Sequence, residues 1–135
     1  MWRTISYVST ADPSLTNAEV NELFKFVKKN NNSKNITGIL MYSDGNFFQV
    51  LEGEKDQIQS LFEKILLDSR HYDVIKIFDR AIPNCSFSQY HSSFIVLGEK
   101  YNHKELQHFL REEKSHNPDN YKNISYLANK FMKLS

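Results

Sequence analysis

The chain has 135 residues, a formal net charge of +1 and a single cysteine, Cys85. This length predicts one domain with its own core, and the charge balance excludes the strongly basic surface of nucleic-acid and anionic-membrane binders. One cysteine excludes an internal disulfide and favours a reducing cytoplasm. No stretch has the apolar run of a signal peptide or transmembrane helix. The five histidines lack metal-ligand spacing, so no metal is expected.

The first predicted elements are a strand over residues 2–9 and a helix that begins after Thr16. Thr16 and Glu19 have the spacing of a capping box. Apolar residues then follow at the i, i+3, i+4, i+7 spacing of one buried helix face: Val20, Leu23, Phe24 and Val27. Asn30 and Asn31 continue this face, so the buried stripe is expected to end in two amides. Of the two, Asn30 is the expected helix cap.

Residues 36–53 predict a β-hairpin with Asp44-Gly45 as its two-residue turn, because such a turn needs positive φ at both central positions. This register places Leu40 opposite Gln49. One face of the hairpin then carries Ile36, Gly38, Leu40, Tyr42, Phe47, Gln49 and Leu51. The primary amide of Gln49 stands out on this apolar face. Burying it costs free energy unless its donor and acceptor are paired, so Gln49 is expected to have a specific partner.

The rest of the chain predicts two strands and three helices. In order, they are a helix over 54–69 closed by Arg70-His71, a strand over 73–82, a loop over 84–90, a strand over 91–97 and two amphipathic helices within 98–135. The order β-α-β-β-α-β-β contains the ferredoxin-like unit. The predicted fold class is therefore α+β, a mixed sheet with two helices on one face and the C-terminal helical pair on the other.

Polar groups from distant parts of the chain are expected to converge in this topology. The first strand and the 46–52 strand are expected to be near neighbours flanked by both helices, which brings Tyr7, Gln49, Asn30 and Asn31 together. This set contains no nucleophile with a base, no carboxylate pair and no phosphate-binding glycine loop. Neutral donors and acceptors suit a neutral heterocycle with an imide edge. Leu23 and Ile65, one from each helix, are placed to sandwich a flat ring.

Four segments, in this order and spacing, resemble the BLUF family of blue-light sensors that use FAD. The segments are ISYVSTA, NN followed by NITGILMY, GNFFQVLEG and DSRHYDV, and the resemblance covers residues 2–96. It implies a blue-light photoreceptor that is not an enzyme and that binds FAD non-covalently, with FMN or riboflavin as alternatives. Residues 1–97 would be the sensor domain and 98–135 a helical extension. Output is expected through an unidentified partner protein or a change in self-association, with a homo-oligomer favoured.

The resemblance also implies a role for each matching residue. Tyr7 is the photochemically active tyrosine, and Gln49 is the amide whose hydrogen bonds rearrange in light. Electron and proton transfer from Tyr7 would leave Gln49 rotated or tautomerised, with a new hydrogen bond to the flavin C4 carbonyl and a small red shift. The cofactor-binding positions are Asn31 at the imide edge with Asn30 beside it, Leu23 and Ile65 flanking the ring, and Lys64, Asp68, Arg70 and His71 towards the ribityl and phosphate end.

The chain departs from the family pattern at Tyr90 and Ser92, which stand where a Trp and a Met usually relay the signal. A hydrogen bond from Ser92 to Gln49 would give a relay of different chemistry. Two other function classes stay open from the residues alone. The first is a ferredoxin-like module for a small ligand or RNA, with Phe47 and Phe48 as a stacking pair, although strand alternation places them on opposite faces. The second is a hydrolase of the acylphosphatase type, whose Arg/Asn phosphate loop is not seen.

Each candidate residue also has an ordinary structural interpretation when it is taken singly. Tyr7 is compatible with a packing role and Gln49 with a satisfied core amide. Arg70-His71 is compatible with a helix end at which the dipole favours cations. The family resemblance is what favours the functional interpretation of these residues over the structural one.

Overall fold

A computed structural model of the chain describes residues 1–82, 95–97, 103–116 and 118–133. Its elements are β1 (Trp2–Ala11), α1 (Asn17–Ser33), β2 (Thr37–Ser43), β3 (Asn46–Glu54), α2 (Lys55–Leu67), β4 (His71–Ile82), β5 (Ile95–Leu97), α3 (His103–His116) and α4 (Pro118–Lys133). This order confirms the predicted β-α-β-β-α-β-β arrangement with two helices after it. The predicted division at residue 97 between a sensor domain and an extension stays a prediction.

The strands form one mixed five-stranded sheet in the order β4-β1-β3-β2-β5. β1 pairs antiparallel with both β3 and β4, β2 pairs antiparallel with β3, and β2 pairs parallel with β5. The α+β fold class is therefore confirmed. β1 and β3 lie side by side at the centre, as predicted, and Tyr7 is the direct cross-strand partner of Gln49.

The hairpin has the predicted turn and register. Asp44 and Gly45 have φ values of 51° and 77°, the positive values that a tight two-residue turn needs. Leu40 faces Gln49 across the two strands. The main-chain N–H of Ala11, at the end of β1, donates to the carbonyl of Gly45 at 2.9 Å. The turn is thereby held against the central strand, which fixes the position of β3 relative to β1.

The main core lies between the sheet and the helices α1 and α2. Its buried members are Ile5, Tyr7, Ala11, Val20, Phe24, Ile36, Leu40, Phe47, Leu51, Ile58 and Phe62. They include Ile36, Leu40, Phe47 and Leu51 from the hairpin face predicted to be apolar. The opposite face of the sheet is also closed, since Ile39, Met41 and Phe48 have no exposed area. The helices α3 and α4 contact each other, and each has a buried apolar side chain, Leu110 and Ile124.

The predicted helix cap at Asn30 is wrong. α1 starts with the predicted Thr16–Glu19 capping box, but it continues to Ser33 and ends at Lys34. The residue with positive φ is Asn35, at 56°, so the chain reverses five residues later than predicted. Asn tolerates this conformation, but a run of three consecutive asparagines does not indicate which residue ends the helix.

The predicted role of Arg70-His71 as a helix end is also wrong. α2 ends at Leu67, and Asp68 is its cap. The carboxylate of Asp68 accepts the main-chain N–H of Arg70 at 2.9 Å, which turns the chain, and His71 is the first residue of β4. The strand therefore begins two residues before the predicted start. Asp73, at φ 53°, lies where the β1–β4 pairing is irregular.

The last predicted strand is only partly within the described residues. Ile95–Leu97 is a strand, whereas residues 91–94, the predicted loop over 84–90 and the relay candidates Tyr90 and Ser92 lie outside them. Among the helices that the structure describes, none is long and apolar enough to cross a lipid bilayer.

Candidate functional site

A cavity of about 290 Å³ lies between α1, α2 and the central strands. Every predicted site residue within the described part of the chain lines it: Tyr7, Leu23, Asn30, Asn31, Gln49, Lys64, Ile65, Asp68, Arg70 and His71. The cavity volume is close to the lower end of the range for small-molecule pockets. Residues far apart in sequence thus meet at one concave site.

Six lining residues were not predicted as site residues: Phe26, Val27, Lys34, Leu40, Phe47 and Leu61. Four of them belong to apolar patterns of the sequence. Leu40 and Phe47 are on the predicted hairpin face, Val27 is one turn after Leu23, and Leu61 is one turn before Ile65. Their periodicity predicts burial and does not distinguish a cavity wall from filled core. Phe26 lies outside the apolar stripe of α1, and no sequence pattern indicated it as a lining residue.

Tyr7 and Gln49 form a buried hydrogen-bonded pair at the base of the cavity. Their side chains are 4% and 3% exposed. The phenol of Tyr7 donates to Oε1 of Gln49 at 2.5 Å. With its oxygen accepting this bond, the amide of Gln49 has its NH2 as the donor group for another partner. A phenol in contact with a two-way hydrogen-bonding group can move a proton over a short distance.

The surroundings of Tyr7 keep its phenol protonated. Burial raises the pKa of Tyr7, and the nearby charge of Asp68 raises it further. The rings of Phe62 and His71 lie with their centroids 5.8 Å and 6.1 Å from that of Tyr7. In the ground state, Tyr7 is therefore a neutral hydrogen-bond donor at neutral pH.

Asn31 carries an unused donor. Its side chain is 2% exposed, and Nδ2 has no hydrogen-bond partner among the described residues. Its main-chain carbonyl accepts from the N–H groups of Lys34 and Ile36 at 3.1 Å and 2.9 Å, which fixes the residue at the end of α1. A buried N–H without a partner costs free energy, about 1–3 kcal/mol. A ligand carbonyl in the cavity would satisfy this group.

Aliphatic side chains form two facing walls of the cavity. Leu23 and Val27 come from α1, and Leu61 and Ile65 come from α2. All four are partly buried and pack against the main core. Apolar walls with a few polar groups at one end are typical of sites that bind a flat aromatic ligand.

The cavity lining also includes charged side chains. Arg70 Nε and Nη2 donate to the two carboxylate oxygens of Asp68 at 2.9 Å and 2.5 Å. This contact holds the pKa of Asp68 below its usual range. The Arg70 guanidinium also lies 5.9 Å from the ring centre of Phe26. Lys34 and Lys64 line the same cavity, so its lining includes three cations and one anion, a balance that suits a phosphate group.

His71 is held by the protein on both sides of its ring. Nε2 is 2.6 Å from the carbonyl oxygen of Ile65, and Nδ1 is 2.7 Å from Oγ of Ser9. Because a carbonyl only accepts, Nε2 carries a proton, and in the neutral ring Nδ1 accepts from Ser9. The Ser9–His71 contact is not a hydrolytic pair, since Ser9 is 3% exposed and is not a lining residue of the cavity.

Comparison with known proteins identifies the family to which the chain belongs. The family model BLUF, described as sensors of blue-light using FAD, matches residues 3–93. The chain belongs to the BLUF family. It is therefore a flavin-binding blue-light sensor domain, and the sensor domain is not itself catalytic.

Similar proteins include both long and short BLUF proteins. The chain is 39% identical over 75 residues to the photoactivated adenylate cyclase subunit alpha of Euglena gracilis, a match covering 56% of this chain and 7% of that protein. The structure of BlsA in its photo-activated state matches with a TM-score of 0.68 and 28% identity, covering 98% of this chain and 95% of that one. Klebsiella pneumoniae BlrP1 with FMN and cyclic diGMP matches with a TM-score of 0.68 and 29% identity, covering 82% and 30%.

The BLUF fold explains why the predicted site residues meet at one cavity, but it does not test their individual roles. Those of Tyr7, Gln49 and the cofactor contacts stay predictions. So do the relay roles of Tyr90 and Ser92. The RNA-stacking alternative is contradicted, since Phe47 and Phe48 lie on opposite faces of β3 and both are buried, at 3% and 0% exposure.

Proposed function

We propose that this BLUF domain senses blue light through a switch made of Tyr7, Gln49 and a bound flavin. The observation that carries the proposal is the buried 2.5 Å bond between Tyr7 and Gln49 at the base of the cavity. The unpartnered Nδ2 of Asn31, which lines the same cavity, supports it. Together they supply a phenol, a two-way amide and a spare donor, which is the set that an imide edge needs.

The lining residues fit a flavin with a phosphate group, and we infer that the cofactor is FAD. Asn31 and Gln49 would hold the imide edge, and Leu23 and Ile65 would flank the ring system. Lys64 and Arg70 would face the ribityl and phosphate end. The ring contacts are common to riboflavin, FMN and FAD, whereas the excess of cations in the cavity lining favours the phosphorylated forms. The family description, which names FAD, supports FAD over FMN.

The bound flavin supplies a strongly oxidising excited state under blue light. An oxidised phenol is a strong acid, so Tyr7 would pass its proton along the existing bond to Oε1 of Gln49. When the electron returns, Tyr7 regains a proton from the Gln49 side chain. Return from Oε1 would leave the amide rotated, and return from Nε2 would leave it tautomerised. Because Tyr7 and Gln49 are both buried, this exchange is shielded from bulk water. There is no net reaction, and the output is a changed pattern of donors and acceptors.

The signal would then bias a two-state arrangement of the sheet, with a coupling free energy of ~1–3 kcal/mol. We infer that it reaches a separate partner protein or changes self-association in a homo-oligomer, and that the protein works in the cytoplasm. The near-neutral charge of the chain supports a protein partner over nucleic acid.

Absorption spectroscopy on the purified protein tests this proposal. We expect yellow protein whose flavin band shifts to longer wavelength under blue light and returns in the dark. Heat release of the pigment followed by chromatography would identify FAD, FMN or riboflavin. Colourless protein that takes up none of these flavins, or flavin-bound protein whose spectrum does not respond to light, would contradict the proposal.

A further inference from the structure

Ser6 touches the proposed photoswitch from the side of the sheet that faces away from the cavity. It precedes Tyr7 on β1, so its side chain lies on the opposite face of the strand. The side chain has no exposed area. Its hydroxyl donates to the main-chain carbonyl of Gln49 at 3.0 Å. This hydroxyl therefore bonds to the backbone of the residue whose side chain bonds to Tyr7.

Two consecutive residues of β1 thus bond to the side chain and to the main chain of Gln49. Tyr7 bonds to its side-chain oxygen on the cavity face, and Ser6 bonds to its carbonyl on the closed face. A carbonyl oxygen has two lone pairs, so it can accept the Ser6 hydroxyl in addition to a hydrogen bond of the strand pairing. The Ser6 bond therefore restrains the Gln49 main chain further. The distance between the phenol and the amide depends on where the Gln49 backbone lies, and Ser6 restrains that backbone.

The pairing of β1 with β4 is irregular next to Tyr7. In the pairing with β4, Ser6 faces Phe78 and Tyr7 faces Lys76, so the register shifts between these two residues. A bulge of this kind interrupts the ladder and increases the local twist. The position of Tyr7 therefore depends more on the β3 side of β1, where the register is unbroken and where Ser6 makes its contact.

We propose that Ser6 is a positioning residue of the photoswitch. Its hydroxyl fixes the backbone of Gln49 and so keeps the phenol and the amide in the geometry in which the proton moves. This inference rests on the proposed function. Ser6 is not a lining residue of the cavity, so its loss leaves flavin binding intact. Loss of the hydroxyl widens the range of Tyr7–Gln49 distances, and fewer excitations then produce the light state.

The test compares Ser6→Ala with the matched control Ser43→Ala. Ser43 is on the same face of the sheet, is 1% exposed, and its hydroxyl has no hydrogen-bond partner in the described part of the chain. Ser6→Thr restores a hydroxyl at the original position. For each protein we would measure the flavin content, the melting temperature, the quantum yield of the light-induced red shift and the rate of dark recovery.

We expect Ser6→Ala to lower the quantum yield about fivefold, the factor that corresponds to a net hydrogen bond of about 1 kcal/mol. Flavin content should not change. Ser43→Ala should match the wild type, and Ser6→Thr should recover most of the yield. Infrared spectra of protein labelled with ¹³C at the main-chain carbonyl of glutamine give an independent readout. In Ser6→Ala, one labelled band should move to higher frequency in the dark, because its carbonyl has lost a donor.

Each outcome bears on a separate part of the proposal. A wild-type light response in Ser6→Ala would overturn the role of Ser6. Equal losses in Ser6→Ala and Ser43→Ala would also overturn it, because any buried hydroxyl would then have the same effect. Wild-type protein that binds flavin without a light-induced shift would overturn the proposed function, and the role of Ser6 with it.

Discussion

Buried polar side chains have different hydrogen-bond partners on the two faces of the sheet. On the face towards α1 and α2, Tyr7 and Gln49 bond to each other, and Nδ2 of Asn31 has no partner among the described residues. On the opposite face, the hydroxyl of Ser6 bonds to the protein main chain. A closed core has to satisfy its polar groups internally. The cavity face has a buried donor without a protein partner, which a bound polar ring would satisfy.

Ser43 does not follow this pattern. It lies on the closed face, yet its buried hydroxyl has no partner in the described part of the chain, and nothing there explains it. A missing partner is therefore not enough to identify a binding group. Asn31 differs because it also lines the cavity beside Gln49. The combination of an unused donor and adjacent open space is what indicates a ligand contact.

The largest expected effect comes from removing the phenol hydroxyl on the cavity face. Tyr7→Phe should keep flavin binding, because the ring still fills its place in the core, but the light-induced red shift should disappear. Absorption spectra before and after blue light measure this. Tyr42→Phe is the matched control, since Tyr42 is on the same face and contacts Phe47, with ring centroids 5.0 Å apart. A normal shift in Tyr7→Phe would remove the tyrosine from the mechanism.

Replacing the amide tests the other partner of the short bond. Gln49→Leu should also abolish the red shift, because a leucine side chain has no donor or acceptor to rearrange. It also leaves the Tyr7 hydroxyl buried without its acceptor, which should lower the free energy of unfolding by about 1–3 kcal/mol. Chemical denaturation and light-minus-dark absorption measure the two effects. Persistence of the shift would show that the switch does not use Gln49.

Removal of the unpartnered Asn31 donor should weaken flavin binding more than it destabilises the flavin-free protein. Asn31→Ala should weaken flavin binding about tenfold, the value for ~1.4 kcal/mol of lost hydrogen bonding. The flavin-free protein should lose little from the change at Nδ2, because that atom has no bond in the described structure to lose. Titration with flavin and thermal melts of the flavin-free protein measure both. An equal affinity for flavin in the two proteins would show that Asn31 does not contact the ligand.

The sequence predicted the cavity face better than the connections around it. The Asp44-Gly45 turn and strict alternation were enough to place Gln49 opposite Leu40 on the apolar face, because register errors would move every side chain to the wrong face. The ferredoxin-like order of elements then placed this strand beside β1, where Tyr7 faces Gln49. The ends of α1 and α2 were harder. Asn30, Asn31 and Asn32 are equivalent as caps in the sequence, but α1 continues past all three and is capped by Lys34. Nor could Ser6 be identified, because a serine in a strand gives no sign of the main-chain atom it will contact.

The smallest expected effect concerns the ion pair between Asp68 and Arg70 in the cavity lining. Arg70 lowers the pKa of Asp68, so the folded protein gains stability from the ionised carboxylate at pH values above its unfolded pKa of ~3.9. The pair is partly exposed, with side-chain exposures of 40% and 28%, so the gain should be below about 1 kcal/mol. Urea denaturation of wild type and Arg70→Gln should differ by this amount at pH 7 and pH 5. The difference should fade as the pH drops below ~3.9 through the lower folded pKa, where Asp68 takes up a proton. A difference that grows on acidification would contradict the assigned direction of the pKa shift.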